Sequence, residues 1–242
     1  LCACSALGTR VCGVDAACGD TSGSTTGLTI SVTCSGEGEE GKSVYRNGAR
    51  ENDLICVSGD LGAAYMGLQL LEREKHVYAG ESDFTPAFEG KEYILERQLK
   101  PEARKDIIAE LDKRHIVPTA MMDISDGLSS ELHHICTQSH TGCRIYEERI
   151  PIDYQTAVMA EELNMSLVTA ALNGGEDYEL LFTVPLGSHH AVAAIPTLHI
   201  IGHLPPPSPA LYMIPRDRNA TRLPPPCPNS PLHHHDDQQT DA

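Results

Sequence analysis

The chain has 242 residues, of which 40% are apolar and 21% charged, and its formal net charge is −16 at pH 7. This excess of carboxylates argues against nucleic acid or an anionic membrane as the main partner, because both attract positively charged surfaces. No run of about 18 consecutive apolar residues occurs, so we expect no transmembrane helix.

Nine cysteines are spread irregularly along the chain, and no two of them have the Cys-x-x-Cys spacing of a zinc ribbon. Reduced and mostly buried thiols are typical of cytoplasmic proteins. We therefore expect a cytoplasmic protein whose thiols stay reduced.

The first zone, residues 1–52, contains one clear strand pattern. Apolar and polar residues alternate over Leu28–Cys34, which predicts a half-buried strand. No complete helix-and-sheet unit precedes this strand. We therefore expect the chain to start partway through a domain, of which this zone is the remnant.

The second zone, residues 53–204, alternates strand and helix patterns, as is typical of an α/β domain. Strands are predicted at Leu54–Val57, Ala120–Ile124, Arg144–Tyr146, Tyr178–Val184 and His199–Ile201. Helices are predicted after Gly62, from Pro101, over Leu128–Gln138 and over Tyr154–Leu163. The zone is long enough for one domain of ordinary size.

The third zone, residues 205–242, holds ten of the sixteen prolines and ends in a polar run rich in His, Asp and Gln. Such a composition cannot bury enough apolar surface to offset the entropy lost on ordering. The sequence therefore predicts a disordered, proline-rich tail.

Two candidate phosphate-binding features lie in the first zone. Gly19 and Asp20 precede the predicted strand, where glycine allows a close approach to phosphate and aspartate suits Mg²⁺. The same pair also fits an ordinary turn. Arg46 could bind phosphate through its planar guanidinium, or it could be a solvated loop residue.

A second candidate site is the predicted strand-to-helix junction at Asp123–Gly127. Asp123 and Asp126 flank Ser125 just before a helix N-terminus, whose N–H groups can bind phosphate oxygens. Ser125 or Asp126 could instead serve as the N-cap of that helix. Asp123 closes an apolar strand, so its carboxylate needs a partner.

A third candidate site, Asn173–Tyr178, combines two glycines with Glu176 and a second carboxylate directly before a predicted strand. Paired glycines allow the backbone to approach a ligand closely. A simple connecting loop accounts for the same residues equally well.

Taken in order, these segments resemble the thiamine-monophosphate kinase family of the aminoimidazole-ribonucleotide synthetase-like superfamily. The matching segments are Gly19–Thr21, Tyr45–Ala49, Gly59–Gly62, Met122–Leu128, Leu172–Phe182 and Ile201–His203. Gly174–Phe182 is the most specific of them. The resemblance implies a two-domain, synthetase-like α/β (α+β) architecture. Residues 1–52 would be a partial N-terminal ATP- and Mg²⁺-binding domain, and residues 53–204 a near-complete C-terminal α/β domain.

The resemblance also implies an activity, which is the Mg²⁺-assisted in-line transfer of phosphate from ATP to thiamine monophosphate, giving thiamine diphosphate. It implies ATP contacts at Gly19, Asp20, Arg46 and Ser125, Mg²⁺ ligands at Asp20, Asp123 and Asp126, and a thiamine-monophosphate contact at Glu176. No side chain is needed as a nucleophile, because the phosphate oxygen of the substrate itself attacks.

The resemblance is incomplete at both ends of the chain. Most of the N-terminal domain is missing, and it normally carries the dimer surface, so the family's homodimer stays an open question. Cys18 stands where the family has glycine, and the tail replaces a segment that supplies an aromatic contact to thiamine. We therefore expect a truncated start and an aberrant tail. Another ATP-using enzyme of the superfamily, or an inactive nucleotide-binding fragment, are the alternatives.

Overall fold

A computed structural model of the chain describes residues 27–78, 88–206, 210–215 and 220–223, with isolated positions 9, 13–16, 19, 23, 25 and 86. The chain forms two compact units, Leu1–Ser43 and Val44–Ala242. The first boundary thus lies before the predicted one after Asn52. The reason is that the Tyr45 carbonyl accepts a hydrogen bond from Met121 N–H and Ala49 is buried in the second unit.

The strand predicted at Leu28–Cys34 is not formed in the first unit. These residues are described as irregular backbone. Leu28, Ile30 and Val32 are 79%, 60% and 85% exposed. Alternation alone does not make a strand, because the backbone N–H and C=O groups need a neighbouring strand, and none is described within this unit.

In the second unit, the described strands form one seven-stranded sheet. The strands are β1 (Leu54–Ser58), β2 (Ala120–Asp123), β3 (Cys143–Tyr146), β4 (Leu180–Val184), β5 (Leu198–His203), β6 (Leu211–Ile214) and β7 (Thr221–Arg222). Their order is β2-β4-β1-β5-β3-β6-β7, and every pair is antiparallel except β3 and β6. Mixed pairing of this kind is compatible with helices on both faces.

Helices cover both faces of this sheet. They are α1 (Ala63–Tyr78), α2 (Glu92–Leu99), α3 (Lys105–Lys113), α4 (Leu128–Gln138), α5 (Tyr154–Glu162), α6 (Leu167–Asn173) and α7 (His189–Ala193). Strand β1 shows that the sheet is covered on both faces, because all five of its residues are buried. Ile55 and Val57 join one apolar cluster with α4, whereas Leu54 and Cys56 join a second cluster with α3 and α7. Successive side chains of a strand point to opposite faces, so a central strand covered on both sides is apolar throughout.

A third apolar cluster lies among helices α1, α2, α5 and α6. Its members include Ala63, Met66, Leu70, Ile94 and Met159, all of which are almost fully buried. This cluster holds α1 and α2 next to the ends of strands β1 and β4, which border the candidate site. The predicted α/β fold class is confirmed. None of the described helices has both the length and the apolarity needed to cross a bilayer.

The third zone differs from the predicted disordered tail at two places. β6 pairs in parallel with β3 over four residues, and β7 pairs with β6. Leu211 and Leu223 are 7% and 3% exposed and join the cluster on the α4 side of the sheet. The apolar run Leu211–Ile214 is short and lies between prolines, so the composition of the zone does not reveal it as a strand. It nevertheless pairs with β3 and adds Leu211 to the apolar cluster on that face of the sheet. The described residues do not include the remainder of the tail beyond residue 223.

We expect Leu211→Ala to lower the free energy of unfolding by about 2 kcal/mol, because the substitution removes buried methyl groups from the core. Urea denaturation of the full chain measures this change. Leu186→Ala is the matched control, since Leu186 is 60% exposed and its loss should cost under about 0.5 kcal/mol. Equal and small effects at both leucines would show that the tail strand does not pack on the sheet.

Candidate active site

The junction Asp123–Gly127, here called the Asp loop, joins edge strand β2 to helix α4. Gly127 occupies the N-cap position of α4 with a φ of 122°. The N-cap alternative for Ser125 and Asp126 is therefore wrong. Asp123 is exposed, and Ser125 and Asp126 are half-buried.

The segment Gly174–Glu179, here called the Glu loop, lies directly against the Asp loop. Ile124 N–H donates to the Glu179 carbonyl at 2.7 Å, and Tyr178 N–H donates to the Ile124 carbonyl at 2.8 Å. Glu176 N–H donates to the Ser125 carbonyl at 2.7 Å. These bonds continue the β2–β4 ladder beyond the strand ends, where Asp123 pairs with Leu180. The second and third candidate sites of the sequence are thus one structure.

Gly175 allows the Glu loop to approach the Asp loop this closely, and Gly127 allows the Asp loop to approach the end of helix α6. A Cβ atom at Gly175 would lie 2.6 Å from the Ser125 carbonyl oxygen, and one at Gly127 would lie 2.7 Å from the Leu172 carbonyl oxygen. Both glycines also have positive φ angles, 68° and 122°, which side-chain-bearing residues adopt only at a cost. Glycine is therefore required at both positions by space and by backbone conformation.

The paired loops gather three carboxylates around one phenol. Tyr178 Oη donates to Glu176 Oε2 at 3.1 Å. The pKa of Tyr178 is raised by burial, then by its hydrogen bond to Glu176 and by the negative charges of Glu176, Asp123 and Asp126. The three negative charges thus act on the pKa of Tyr178 in the same direction as its burial. Such a surface attracts cations and, through them, phosphate groups.

The remaining predicted residues are Gly19, Asp20 and Arg46. Gly19 belongs to the first unit and is exposed, and Asp20 lies outside the described residues. Arg46 lies in the second unit, where its carbonyl accepts from Ser139 Oγ at 3.2 Å beyond the C-terminal end of α4. Its guanidinium takes part in none of the ion pairs found among the described residues. The structure thus brings together Asp123, Ser125, Asp126 and Glu176, but not Arg46.

Apart from Asp177, the residues that meet on the inner side of the Glu loop lie outside the predicted sites. We call Ser58, Arg97, Arg104, Asp177 and Glu179 the buried ion-pair network. Glu179 accepts from Arg97 Nη1 at 3.0 Å and from both Arg104 Nη1 and Ser58 Oγ. The Glu179 and Asp177 side chains are only 2% and 1% exposed. Because each carboxylate is paired or hydrogen-bonded, burial of these charges is compatible with a stable fold.

Asp177 ties the Glu loop to helix α1. Its Oδ2 accepts from Gly62 N–H at 2.8 Å and its Oδ1 from Ala64 N–H at 3.4 Å, so it satisfies free donors at the start of α1. Burial raises the pKa of Asp177 to about 7, although the Gly62 and Ala64 N–H groups and the Arg97 guanidinium act in the opposite direction. The Glu loop therefore has fixed inner contacts, while Glu176 remains exposed on its outer side.

A cavity of about 350 Å³ opens beside the buried ion-pair network. Three basic residues, Arg97, Lys100 and Arg104, line it. Each is already paired with carboxylates, namely Glu179 for both arginines, Asp106 for Arg104, and Glu96 and Glu102 for Lys100. The cavity is therefore poorly suited to bind phosphate, and the paired loops remain the better candidate site.

The described residues contain no group of three His, Cys, Asp or Glu side chains close enough to hold a metal ion. Asp123 and Asp126 supply the hard oxygen atoms that Mg²⁺ prefers, and Mg²⁺ usually completes its shell with water and substrate phosphates. The donor chemistry thus fits Mg²⁺, with two protein carboxylates in the described part of the chain.

We expect Gly175→Ala to lower the free energy of unfolding by more than about 1 kcal/mol, because alanine is strained at positive φ and its Cβ would contact the Asp loop. Gly187→Ala is the matched control, since a Cβ there meets no atom within 4 Å. Chemical denaturation of both variants makes the comparison. Similar stability of the two variants would argue against the close packing of the loops.

The raised pKa of Asp177 predicts how stability changes with pH. Its pKa moves from 3.8 to about 7 on folding, so its contribution to the free energy of unfolding is present below pH 3.8 and is lost as the pH rises towards 7. Asp177→Asn should flatten the decline in this range, whereas Asp112→Asn, at an exposed position of α3, should leave it unchanged. Urea titrations at several pH values provide the test, and an equally steep decline in Asp177→Asn would refute it.

No family model matches the chain. Curated relatives do match it. The thiamine-monophosphate kinase of Aquifex aeolicus is 38% identical over 156 residues, which cover 64% of this chain and 46% of that protein. The Bacillus subtilis thiamine-monophosphate kinase is 33% identical over 168 residues, covering 69% and 47%. The chain therefore spans about half the length of the curated relatives it matches.

Solved structures agree with the sequence comparison. The A. aeolicus thiamine monophosphate kinase superposes with a TM-score of 0.59 at 30% identity, covering 76% of this chain and 55% of that one. AaThiL complexed with AMPPCP and TMP gives a TM-score of 0.59 at 31% identity, covering 70% and 50%. A HypE–HypF complex, at 18% identity and a TM-score of 0.56, shows the same fold only. By sequence and by fold, the matched part of the chain is thus similar to about half of each thiamine-monophosphate kinase.

Proposed function

We propose that the chain carries part of a site that phosphorylates thiamine monophosphate to thiamine diphosphate with ATP and Mg²⁺. The main support is the pairing of the two loops by backbone hydrogen bonds, which brings the segment with Asp123, Ser125 and Asp126 next to the segment with Glu176. The similarity to a kinase structure with bound AMPPCP and TMP supports the same assignment.

Each residue has a separate role in this proposal. Asp123 and Asp126 bind Mg²⁺, and Ser125 contacts ATP beside the N-terminal end of α4, where the helix dipole favours phosphate. Glu176 contacts thiamine monophosphate from the other loop. Gly19, Asp20 and Arg46 are proposed as further ATP contacts, and Asp20 as a further Mg²⁺ ligand.

The reaction joins two negatively charged groups. A phosphate oxygen of thiamine monophosphate attacks the γ-phosphorus of ATP, and the bond from that phosphorus to the bridging oxygen breaks, so that ADP leaves. Bound Mg²⁺ supplies charge neutralisation for the transferred group. The residues of the chain orient the two substrates and need no covalent step, since phosphoryl transfer depends mainly on positioning and charge stabilisation.

A second candidate function is nucleotide binding without turnover. One observation favours it, namely that the paired loops offer two carboxylates, those of Asp123 and Asp126, as ligands for Mg²⁺. Two carboxylates can position a Mg²⁺–nucleotide complex, but transfer between two anions needs more charge neutralisation than binding one of them.

We also propose a cytoplasmic location. Four cysteines in the described residues are free thiols, and Cys56, Cys136 and Cys143 are buried. Free thiols are typical of proteins in reducing compartments.

We expect Asp123→Asn to reduce kcat/KM for thiamine diphosphate formation by at least about 100-fold, because a carboxylate that binds Mg²⁺ is lost. Glu161→Gln, at an exposed position of α5, is the control and should keep the parent rate. Calorimetry with Mg²⁺ and ATP should precede the turnover assay. If the parent binds nucleotide but does not turn over, the second candidate function is supported. If it shows neither binding nor turnover, both candidate functions are excluded.

A further inference from the structure

Glu131 is a carboxylate at a core position of helix α4. It is 1% exposed and shares its helix face with Leu128 and Ile135, which both belong to the apolar cluster. Residues three and four apart lie on the same face of a helix, so an apolar residue would be expected at position 131. A buried carboxylate is costly unless it satisfies a specific partner.

The partner of Glu131 is the backbone of the Asp loop. Its Oε1 accepts from Asp126 N–H at 2.9 Å. Its Oε2 is buried and has no hydrogen-bond partner among the described residues. Burial raises the pKa of Glu131 to about 7, whereas the Asp126 and Ser125 N–H groups act to lower it. The hydrogen bond to the Asp loop is therefore the contact that offsets the burial of this carboxylate.

This contact completes the fixation of the Asp loop. The backbone bonds of Ile124 and Ser125 run to the Glu loop on one side. Asp126 N–H points to the other side, into the first turn of α4. The peptide between Ser125 and Asp126 is thus held from both directions, which sets where the side chains of these two residues point.

We propose that Glu131 is a positioning residue that orients Asp126 and Ser125 towards a bound Mg²⁺–nucleotide through the Asp126 N–H group. The proposal rests on the function proposed for the Asp loop. It matters because small displacements of a group that binds the reacting phosphates have large effects on binding and rate. A side chain that never touches ligand can therefore set the affinity of residues that do.

Two substitutions of Glu131 distinguish a role in positioning the Asp loop from a role in packing the core. Glu131→Leu fills a similar volume and suits the apolar surroundings, but it leaves Asp126 N–H without its acceptor. Glu131→Gln keeps an acceptor oxygen and removes the charge. A residue needed only for packing would tolerate leucine, whereas a positioning residue tolerates only glutamine. Glu74→Leu is the matched control, since Glu74 is a buried carboxylate of α1 that pairs with Arg73.

The probe is AMPPCP with Mn²⁺, measured on the full chain by calorimetry and by the electron paramagnetic resonance signal of Mn²⁺. We expect Glu131→Leu to weaken affinity by about tenfold, because the Asp126 N–H loses the acceptor that holds the Asp loop in place. Glu131→Gln should stay within about threefold of the parent, and so should Glu74→Leu. Parent-like affinity in Glu131→Leu would overturn the proposal, as would a failure of glutamine to restore affinity.

Amide hydrogen exchange keeps this proposal distinct from the proposed function. Exchange at Asp126 should be about tenfold faster in Glu131→Leu than in the parent and unchanged in Glu131→Gln. If the parent fails to bind the probe, the proposed function fails, and equal exchange rates in the parent and Glu131→Leu would then reject the positioning role as well.

Discussion

The pairing of the Asp and Glu loops is the constraint on which the candidate site depends. Beyond the last residue pair of β2 and β4, the hydrogen-bond ladder continues through Ile124 and Ser125 to the Glu loop. Glu176 and Tyr178 have φ angles of 61° and 51°, a strained conformation for side-chain-bearing residues. Such strain persists only where surrounding bonds hold the backbone in place, and it is concentrated at functional sites. The ladder supplies those bonds here.

The Glu loop separates its charged side chains between two environments. Glu176 lies on the exposed side with the aspartates, whereas Asp177 and Glu179 lie inside the protein against two arginines. The arginines are neutralised by the inner carboxylates, so the outer surface keeps its negative charge for cations. The same six-residue segment thus connects the outer acidic surface with the N-terminus of α1 and with the segment around Arg104.

Local sequence patterns were sufficient for the elements with strong signals. Buried strand β1 and helix α4 were predicted close to their observed bounds, and the acidic loop residues were identified by type and spacing. Helix α2 was missed, and Ile94 is the one residue of this helix that is buried. Helix α3 begins at Lys105 rather than at Pro101, and Arg104 just before it pairs with Glu179. Arg104 and Glu179 are 75 residues apart, and no local pattern reveals such a pair.

The border strand β7 has a consequence for self-association. It consists of only two residues, both exposed, one of which is the charged Arg222. Three consecutive prolines, which lack an N–H donor, follow it closely in the sequence at 224–226. A short, charged rim of this kind is a poor template for the strand of another molecule, because it offers few backbone groups in register. The short, charged and proline-flanked sequence that prevented the prediction of β7 therefore disfavours edge-to-edge aggregation at the β7 edge of the sheet.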